Sequence, residues 1–474
     1  MDIMQIMVVI HIQYIKKLFV SLLKIKLYLY SRYMFFGKKA FSHARNIIKN
    51  SNIIKNTPLE LNERLSRKYN ANIYVKREDL QTVRSFKVRG AYYKIFKNYS
   101  NDKNISITAC SAGNHAQGVA TTCNTLKLNH TIYVPTSTPK QKVDRIKHFG
   151  GKYLNLQVFG DNFQECMNKS LHDSDINNTL FVHPFNDYDV MLGQSTVAQE
   201  IYDELNPDYI FSCVGGGGLI SGVGSYSRYK NSSCKIIGVE PNNANSLELS
   251  LNHKSITPVE NVDTFVDGAA VKEVGDKCFS ICNSVVDRVV SVNNGKLCKD
   301  IIDTYQNDGI ILEPAGTLSI SGLDHFKNDI VGQNVVCILT GSNNDLTRYP
   351  DMIEKAAIYN KTKHYFLIEF KQVPGQLIKF TNDILVDNID ITRFEYLKKT
   401  NRDTGTVMVG IELDFPEQID VVIENMKKHK YKFKKVDENN LLFVYKLIEI
   451  NPNSKDVGGN MDILALNTYL RAIF

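Results

Sequence analysis

The sequence predicts an α/β fold, an open and mostly parallel sheet covered by helices, followed by a smaller α+β domain of ferredoxin-like plan. Three observations carry this prediction. Between residues 57 and 345, β-rich runs alternate with longer segments of helical composition, as a parallel sheet with helical crossovers requires. Several of those runs exit into glycine-rich or hydroxyl-rich turns, the positions where open α/β sheets gather their ligands. From Tyr365 onward the order changes to βαββαβ.

Within the first region the predicted strands include Asn72 to Val75, Ile105 to Cys110, Thr131 to Val134, Tyr209 to Val214, Lys235 to Glu240 and Val335 to Leu339. The last is a continuous apolar run, typical of a strand buried on both faces. After the first of them comes Ser85-Phe86-Lys87-Val88-Arg89-Gly90. A lysine becomes a carbonyl-binding nucleophile when burial or nearby cations lower its pKa. Phe86 supplies apolar cover here, while Arg77, Arg84 and Arg89 supply positive charge. A lysine flanked by basic residues is more often a solvated surface charge, so the hexapeptide alone does not decide.

Two turns add to it. Ser111-Ala112-Gly113-Asn114-His115-Ala116-Gln117-Gly118 lies between a strand and a helix, where unpaired N–H groups and the helix dipole favour a carboxylate or phosphate. Tyr209 to Val214 runs straight into Gly215-Gly216-Gly217-Gly218-Leu219. Four glycines in a row are entropically costly to order, so the loop reads as backbone amides wrapping an anion rather than as a linker. The run Val335 to Leu339 ends in Thr340-Gly341-Ser342-Asn343-Asn344. Lysine, anion turn, glycine loop and hydroxyl turn then converge on one crevice.

At this point residues 57 to 345 resemble the catalytic domain of the tryptophan synthase β-subunit class of pyridoxal-phosphate enzymes. Residues 57 to 448 resemble the biosynthetic threonine dehydratases, also called threonine deaminases. The supporting text is Lys76-Arg77-Glu78-Asp79-Leu80-Gln81, Ser85 to Ala91, Ser111 to Ala120, Gly215 to Leu219 and Glu313-Pro314-Ala315-Gly316. Five motifs in register are specific where one is weak.

The resemblance implies a catalytic domain of two subdomains over residues 41–350 that uses pyridoxal 5'-phosphate. Lys87 holds the cofactor as a Schiff base with Phe86 beside it, and Gly215, Gly216, Gly217, Gly218 and Leu219 bind its phosphate. Asn114 hydrogen-bonds the phenolic oxygen, while Ser111, Ala112, Gly113, Asn114 and His115 receive the substrate carboxylate. Thr340 stands where relatives usually carry serine or another short polar residue beside the pyridine nitrogen. A neutral hydroxyl there makes the ring a weaker electron sink, which favours prompt β-elimination over reprotonation. Thr340 also has the plainer role of a strand-end cap.

The implied reaction is dehydration and deamination of L-threonine to 2-oxobutyrate and ammonia, the first committed step of isoleucine biosynthesis. L-serine is a secondary substrate, because one methyl group in an apolar pocket discriminates by only about 1 to 3 kcal/mol. Lys87 takes the Cα proton and the cofactor phosphate protonates the departing hydroxyl. A serine dehydratase, a serine racemase or a β-replacing synthase would use the same lysine and loop. A non-enzymatic amino-acid sensor would need no proton-abstracting amine.

In the C-terminal region the predicted order is strand Tyr365 to Phe370, helix to Ile384, strand Ile391 to Lys398, strand Gly405 to Glu412, helix Gln418 to His429 and strand Leu441 to Leu447. This region, 363–448, resembles a single copy of the ACT-like regulatory module. The resemblance implies isoleucine or valine as effectors, and a homo-oligomer, dimer or tetramer. A purely oligomerising role is the alternative. Some relatives place a divalent ion near a turn like Glu240-Pro241, but Ser246 replaces the later acidic ligand, so no metal is assigned.

Charge excludes a nucleic-acid role. The formal net charge is +7, but residues 1–59 carry ten Lys or Arg against Asp2 alone, leaving the remainder at about −2. Nine scattered cysteines without a CxxC pair fit a reducing compartment, so a cytoplasmic location is expected. The leader, residues 1–40, is apolar and basic up to residue 36, and its uncharged run Ile3 to Ile15 is too short for an ordinary membrane span. It reads as an organellar targeting segment, as a membrane-surface helix, or as sequence upstream of a true start at Met34. The tail, 449–474, matches nothing recognisable.

Overall fold

The computed structural model describes residues 36–231, 233–385, 388–396 and 403–436. The readings of residues 1–35 and of the tail after Glu449 lie outside them. Two compact units divide the chain, one ending at Leu346 and the other beginning at Thr347. In chain order the strands are β1 (Leu59–Leu61), β2 (Asn72–Lys76), β3 (Ile107–Cys110), β4 (His130–Val134), β5 (Leu154–Val158), β6 (Leu180–Phe181), β7 (Tyr209–Cys213), β8 (Lys235–Pro241), β9 (Arg288–Val292), β10 (Asn334–Ile338), β11 (Lys363–Lys371), β12 (Ile389–Tyr396), β13 (Thr404–Leu413) and β14 (Lys432–Val436).

In the first unit, a six-stranded sheet has the order β1-β2-β10-β7-β8-β9. Every neighbouring pair is parallel except β1 with β2. Its central strands are apolar on both faces because helices cover both. In β10, Val335 to Ile338 are all buried. A second, four-stranded sheet of order β5-β4-β3-β6 is parallel throughout, which gives the two subdomains.

The arrangement that matters for function is the adjacency of β2, β10 and β7. All three run the same way, so the segments leaving their carboxyl ends emerge side by side. Helix Lys87–Tyr99 follows one of these exits and buries Val88, Ala91, Tyr92 and Ile95. Ahead of the sheet, helix Lys38–Lys49 buries Phe41, Ala44 and Ile48 at spacings of three and four, one face of a 3.6-residue period.

The second unit is the α+β domain, an antiparallel sheet of order β12-β13-β11-β14. Helices Gln376–Ile384 and Gln418–Lys428 complete the βαββαβ plan, and Phe366, Ile368, Phe370, Phe380, Val409 and Met426 form much of its core. The last strand among the described residues is one that the sequence analysis does not predict. It runs over Lys432–Val436, pairing with β11, whereas Leu441 to Leu447 lies outside the described residues. Lys432, Lys434 and Lys435 disguise it: an edge strand keeps its lysines in water and turns Phe433 towards the core. Helix Tyr349–Tyr359 also belongs to this unit, tied in by Tyr365 Oη donating to Glu354 Oε1 at 2.7 Å. Among the described residues no helix is long and apolar enough to cross a membrane.

Candidate active site

The segment after β2 is sewn to the segment after β10. Ser85 and Gly341 form an isolated antiparallel bridge. Phe86 N–H donates to Thr340 O at 3.2 Å, and Ser342 N–H to Arg84 O at 3.0 Å. Lys87 therefore opens its helix directly beside the Thr340 turn. The residue keeps some surface area at the crevice, yet its amine is desolvated, feels the charges of Cys213, Cys278 and Glu313, and donates to Pro184 O at 2.9 Å. The Phe86 ring lies beneath it, 5.3 Å from Nζ to centroid.

Burial lowers the Lys87 pKa from 10.5 to about 8. The basic flank predicted from sequence is not the cause. Arg89 is wholly buried and held by Glu78 and Glu200, and Arg77 pairs with Asp79 and Glu60, so their charges are spent on carboxylates. Arg84 is exposed. Desolvation lowers the lysine without their help.

The glycine loop leaves β7 and enters helix Gly218–Lys230. Gly217 has φ +90°, a left-handed conformation that side chains rarely adopt, and a Cβ there would stand 2.9 Å from Cys278 Cβ. Val214 N–H bonds Val239 O before the loop and Ser221 N–H bonds Gly217 O after it. The N–H groups between are those a helix start leaves without an internal partner. Such a turn fits a phosphate.

From the second sheet, β3 delivers Ser111 to Asn114. Ser111 Oγ accepts from Gly113 N–H at 3.2 Å. Asn114 reaches across to the first sheet's turns, donating from Nδ2 to Glu313 Oε1 at 2.6 Å and accepting on Oδ1 from Asn343 Nδ2 at 2.7 Å. Ala112 and Gly113 complete the turn. His115 points elsewhere: its Nε2 lies 2.8 Å from Val182 O, and burial pushes its pKa down to about 3, so it is a neutral packed ring. Thr340 Oγ1 donates to Ala315 O at 3.1 Å, and the same O–H can turn to donate to an unprotonated pyridine nitrogen. Leu219 is buried behind the loop.

Four further residues of the site, Pro184, Phe185, Glu313 and Asn343, carry no role on sequence grounds alone. Pro184 and Phe185 follow β6, and the rule that ligand residues gather at strand exits points to them, but β6 is only two residues long and escapes detection. Glu313 and Asn343 stood within quoted motifs without a function. Burial raises the Glu313 carboxyl to about 7. The two carboxyl oxygens of Glu240 accept from Leu247 and Glu248 N–H at the start of helix Ser246–His253. Pyridoxal phosphate fits these residues chemically. A buried lysine without a carboxylate bonded to it, an anion-ready helix start and a hydroxyl turn at adjacent strand ends match its aldehyde, phosphate and pyridine nitrogen.

Residues 51–341 match the family described as pyridoxal-phosphate dependent enzyme, and residues 354–445 match the C-terminal regulatory domain of threonine dehydratase. A biosynthetic L-threonine dehydratase of Halalkalibacterium halodurans is 42% identical over 393 residues, spanning 82% of this chain and 95% of that protein. One from Staphylococcus epidermidis is 46% identical over 369 residues, 76% of this chain and 87% of its own length. The processed form of threonine deaminase isoform 2 from Solanum lycopersicum has a TM-score of 0.63 at 36% identity, covering 68% of this chain and 95% of that one.

Proposed function

The chain belongs to the threonine dehydratase family of pyridoxal-phosphate dependent enzymes, and from that premise we propose how its residues carry the reaction: L-threonine loses water, then ammonia, to give 2-oxobutyrate. The observation that carries the reading is the buried Lys87 amine, lowered to about 8, where the exits of β2, β10 and β7 meet. When bound, pyridoxal 5'-phosphate supplies an electrophilic carbon for the substrate amine and an electron sink that acidifies Cα–H.

The protein's own contributions follow from position. Lys87 Nζ would hold the cofactor at rest and, as a free amine, would take the Cα proton of the substrate. An amine with pKa near 8 is neutral in roughly a fifth of molecules at pH 7.4, against roughly a thousandth for an ordinary lysine. Gly215 to Leu219 would hold the phosphate on backbone N–H groups, and Phe86 would cover the cofactor's site. Asn114 donates to the phenolic oxygen, and the Ser111 to Gly113 turn receives the substrate carboxylate. Thr340 would offer the pyridine nitrogen a neutral hydroxyl, which would limit charge delocalisation and favour loss of the β-hydroxyl.

Serine fits the same contacts minus a methyl group, a difference of about 1 to 3 kcal/mol, and is turned over as a secondary substrate. We further propose that the C-terminal domain binds isoleucine or valine at a subunit interface in a homo-oligomer, and that the enzyme works in the cytoplasm. Support for a reducing setting comes from nine buried cysteines, none of them joined in a disulfide. The testing experiment measures keto-acid release from threonine and serine in parallel. Faster 2-oxobutyrate than pyruvate release at equal substrate is expected, and an absence of 2-oxobutyrate would overturn the reading.

A further inference from the structure

The side-chain amides at the crevice form a one-way chain. Asn343 Nδ2 donates to Val83 O at 2.8 Å and to Asn114 Oδ1 at 2.7 Å. A backbone carbonyl only accepts, so the bond to Val83 fixes which way the Asn343 amide faces. Its second N–H then reaches Asn114, whose Oδ1 must be the acceptor. That in turn sets the Asn114 amino group towards Glu313 Oε1, at 2.6 Å. An amide nitrogen carries two hydrogens. Glu313 takes one.

We propose that Asn343 and Glu313 are positioning residues for Asn114, clamping its amide from both ends so that the remaining N–H is presented to the phenolic oxygen of the bound cofactor. This rests on the assignment of Asn114 as a cofactor ligand and deepens it. Neither clamp touches the cofactor; each acts through Asn114.

The surroundings are built for the task. Glu313 is itself buried, anchored by its own N–H donating to Gly341 O at 3.1 Å. A Cβ on residue 341 would fall 2.3 Å from Glu313 Oε1, so only glycine there lets the carboxyl come close enough to reach Asn114. Asn343 shares a turn with Thr340, while Asn114 comes from the other subdomain. The clamp therefore registers the two subdomains at the point where the ring oxygen sits. Asp267, Lys142, Lys87 and Cys213 are the titratable groups that bear on the Glu313 carboxyl.

The readout is the pKa of the Lys87–cofactor imine, followed by its absorption across pH in the holoenzyme. A donor on the phenolic oxygen stabilises negative charge there and holds the imine pKa down. Losing a hydrogen bond of about 1 to 1.5 kcal/mol raises that pKa by roughly one unit, a tenfold shift in the proton equilibrium. Asn114→Ala is expected to give that rise. Asn343→Asp replaces the donor to Asn114 with an acceptor, turns the amide over and gives the same rise. The double variant gives no more than Asn114→Ala alone.

Glu313→Leu is expected to raise the imine pKa, and Glu313→Gln, whose carbonyl still accepts from Asn114, restores it. This pair tests the same idea where Asn343→Asp fails to fold. An unshifted imine pKa in Asn343→Asp or Glu313→Leu, or shifts that add to that of Asn114→Ala, would overturn the clamp while leaving Asn114 a ligand. If Asn114→Ala itself leaves the imine pKa unmoved, the cofactor assignment of Asn114 falls and takes the clamp with it.

Discussion

Arg89 and Glu78 form a two-bond ion pair with no exposed surface: Nε and Nη2 of the arginine each donate at 2.8 Å to a separate carboxylate oxygen. Glu200 receives the remaining face of the guanidinium at 2.6 and 2.7 Å and also takes Lys76 Nζ at 2.7 Å, so two cations balance two anions. Burial by itself raises the Glu78 carboxyl, but Arg89 outweighs it and holds the group below its usual range. Removing one partner of such a set strands a buried charge. Arg89→Leu is expected to lose about 3 to 5 kcal/mol of stability by denaturant titration. A loss below about 1 kcal/mol would mean that the cluster hydrates freely.

Lys87 has the opposite relation to its surroundings, a buried amine without a bonded carboxylate. Its ammonium form is penalised in the folded state and not in the unfolded chain. The penalty is full below pH about 8, where both states are protonated, and is relieved as pH rises towards 10.5. Lys87→Met apoprotein is therefore expected to exceed the wild-type apoprotein in stability by about 1 to 3 kcal/mol at pH 7. The margin shrinks by pH 10. Melting both proteins across this range checks the sign.

Gly217→Ala places a methyl group on a backbone at φ +90° and 2.9 Å from Cys278 Cβ. The loop must move to accept it. We expect at least a tenfold rise in the dissociation constant of pyridoxal phosphate, with the secondary structure unchanged by circular dichroism. Unaltered cofactor affinity would contradict the role given to the loop.

Isoleucine binding to the C-terminal domain requires that the effector distinguish two states of the enzyme. A titration of threonine turnover with isoleucine is expected to shift the half-saturating threonine concentration severalfold. No shift at millimolar isoleucine or valine would leave the domain with an oligomerising role alone.

Much of the crevice was legible because its parts sit at strand exits. The apolar runs before Ser111, Gly215 and Thr340 announce strands, and their small or polar exits announce ligands. What sequence did not give was which neighbour acts on which. Arg89 lies two residues from Lys87 and looks like its activator, yet the fold turns it to Glu78 and Glu200. His115 lies within the anion turn but packs under Val182 O. Glu313 and Asn343 are about 200 residues or more from Asn114 in the chain, so no local pattern reveals their contact. In the second unit, β14 was missed because three lysines hid the alternation of an edge strand.

The central claim is the covalent attachment of the cofactor to Lys87. Reducing the holoenzyme with borohydride, digesting it and mapping the modified peptide by mass spectrometry tests it most directly. A phosphopyridoxyl group is expected on Lys87 and on no other lysine. Modification confined to a different lysine, with Lys87 recovered unmodified, would contradict it.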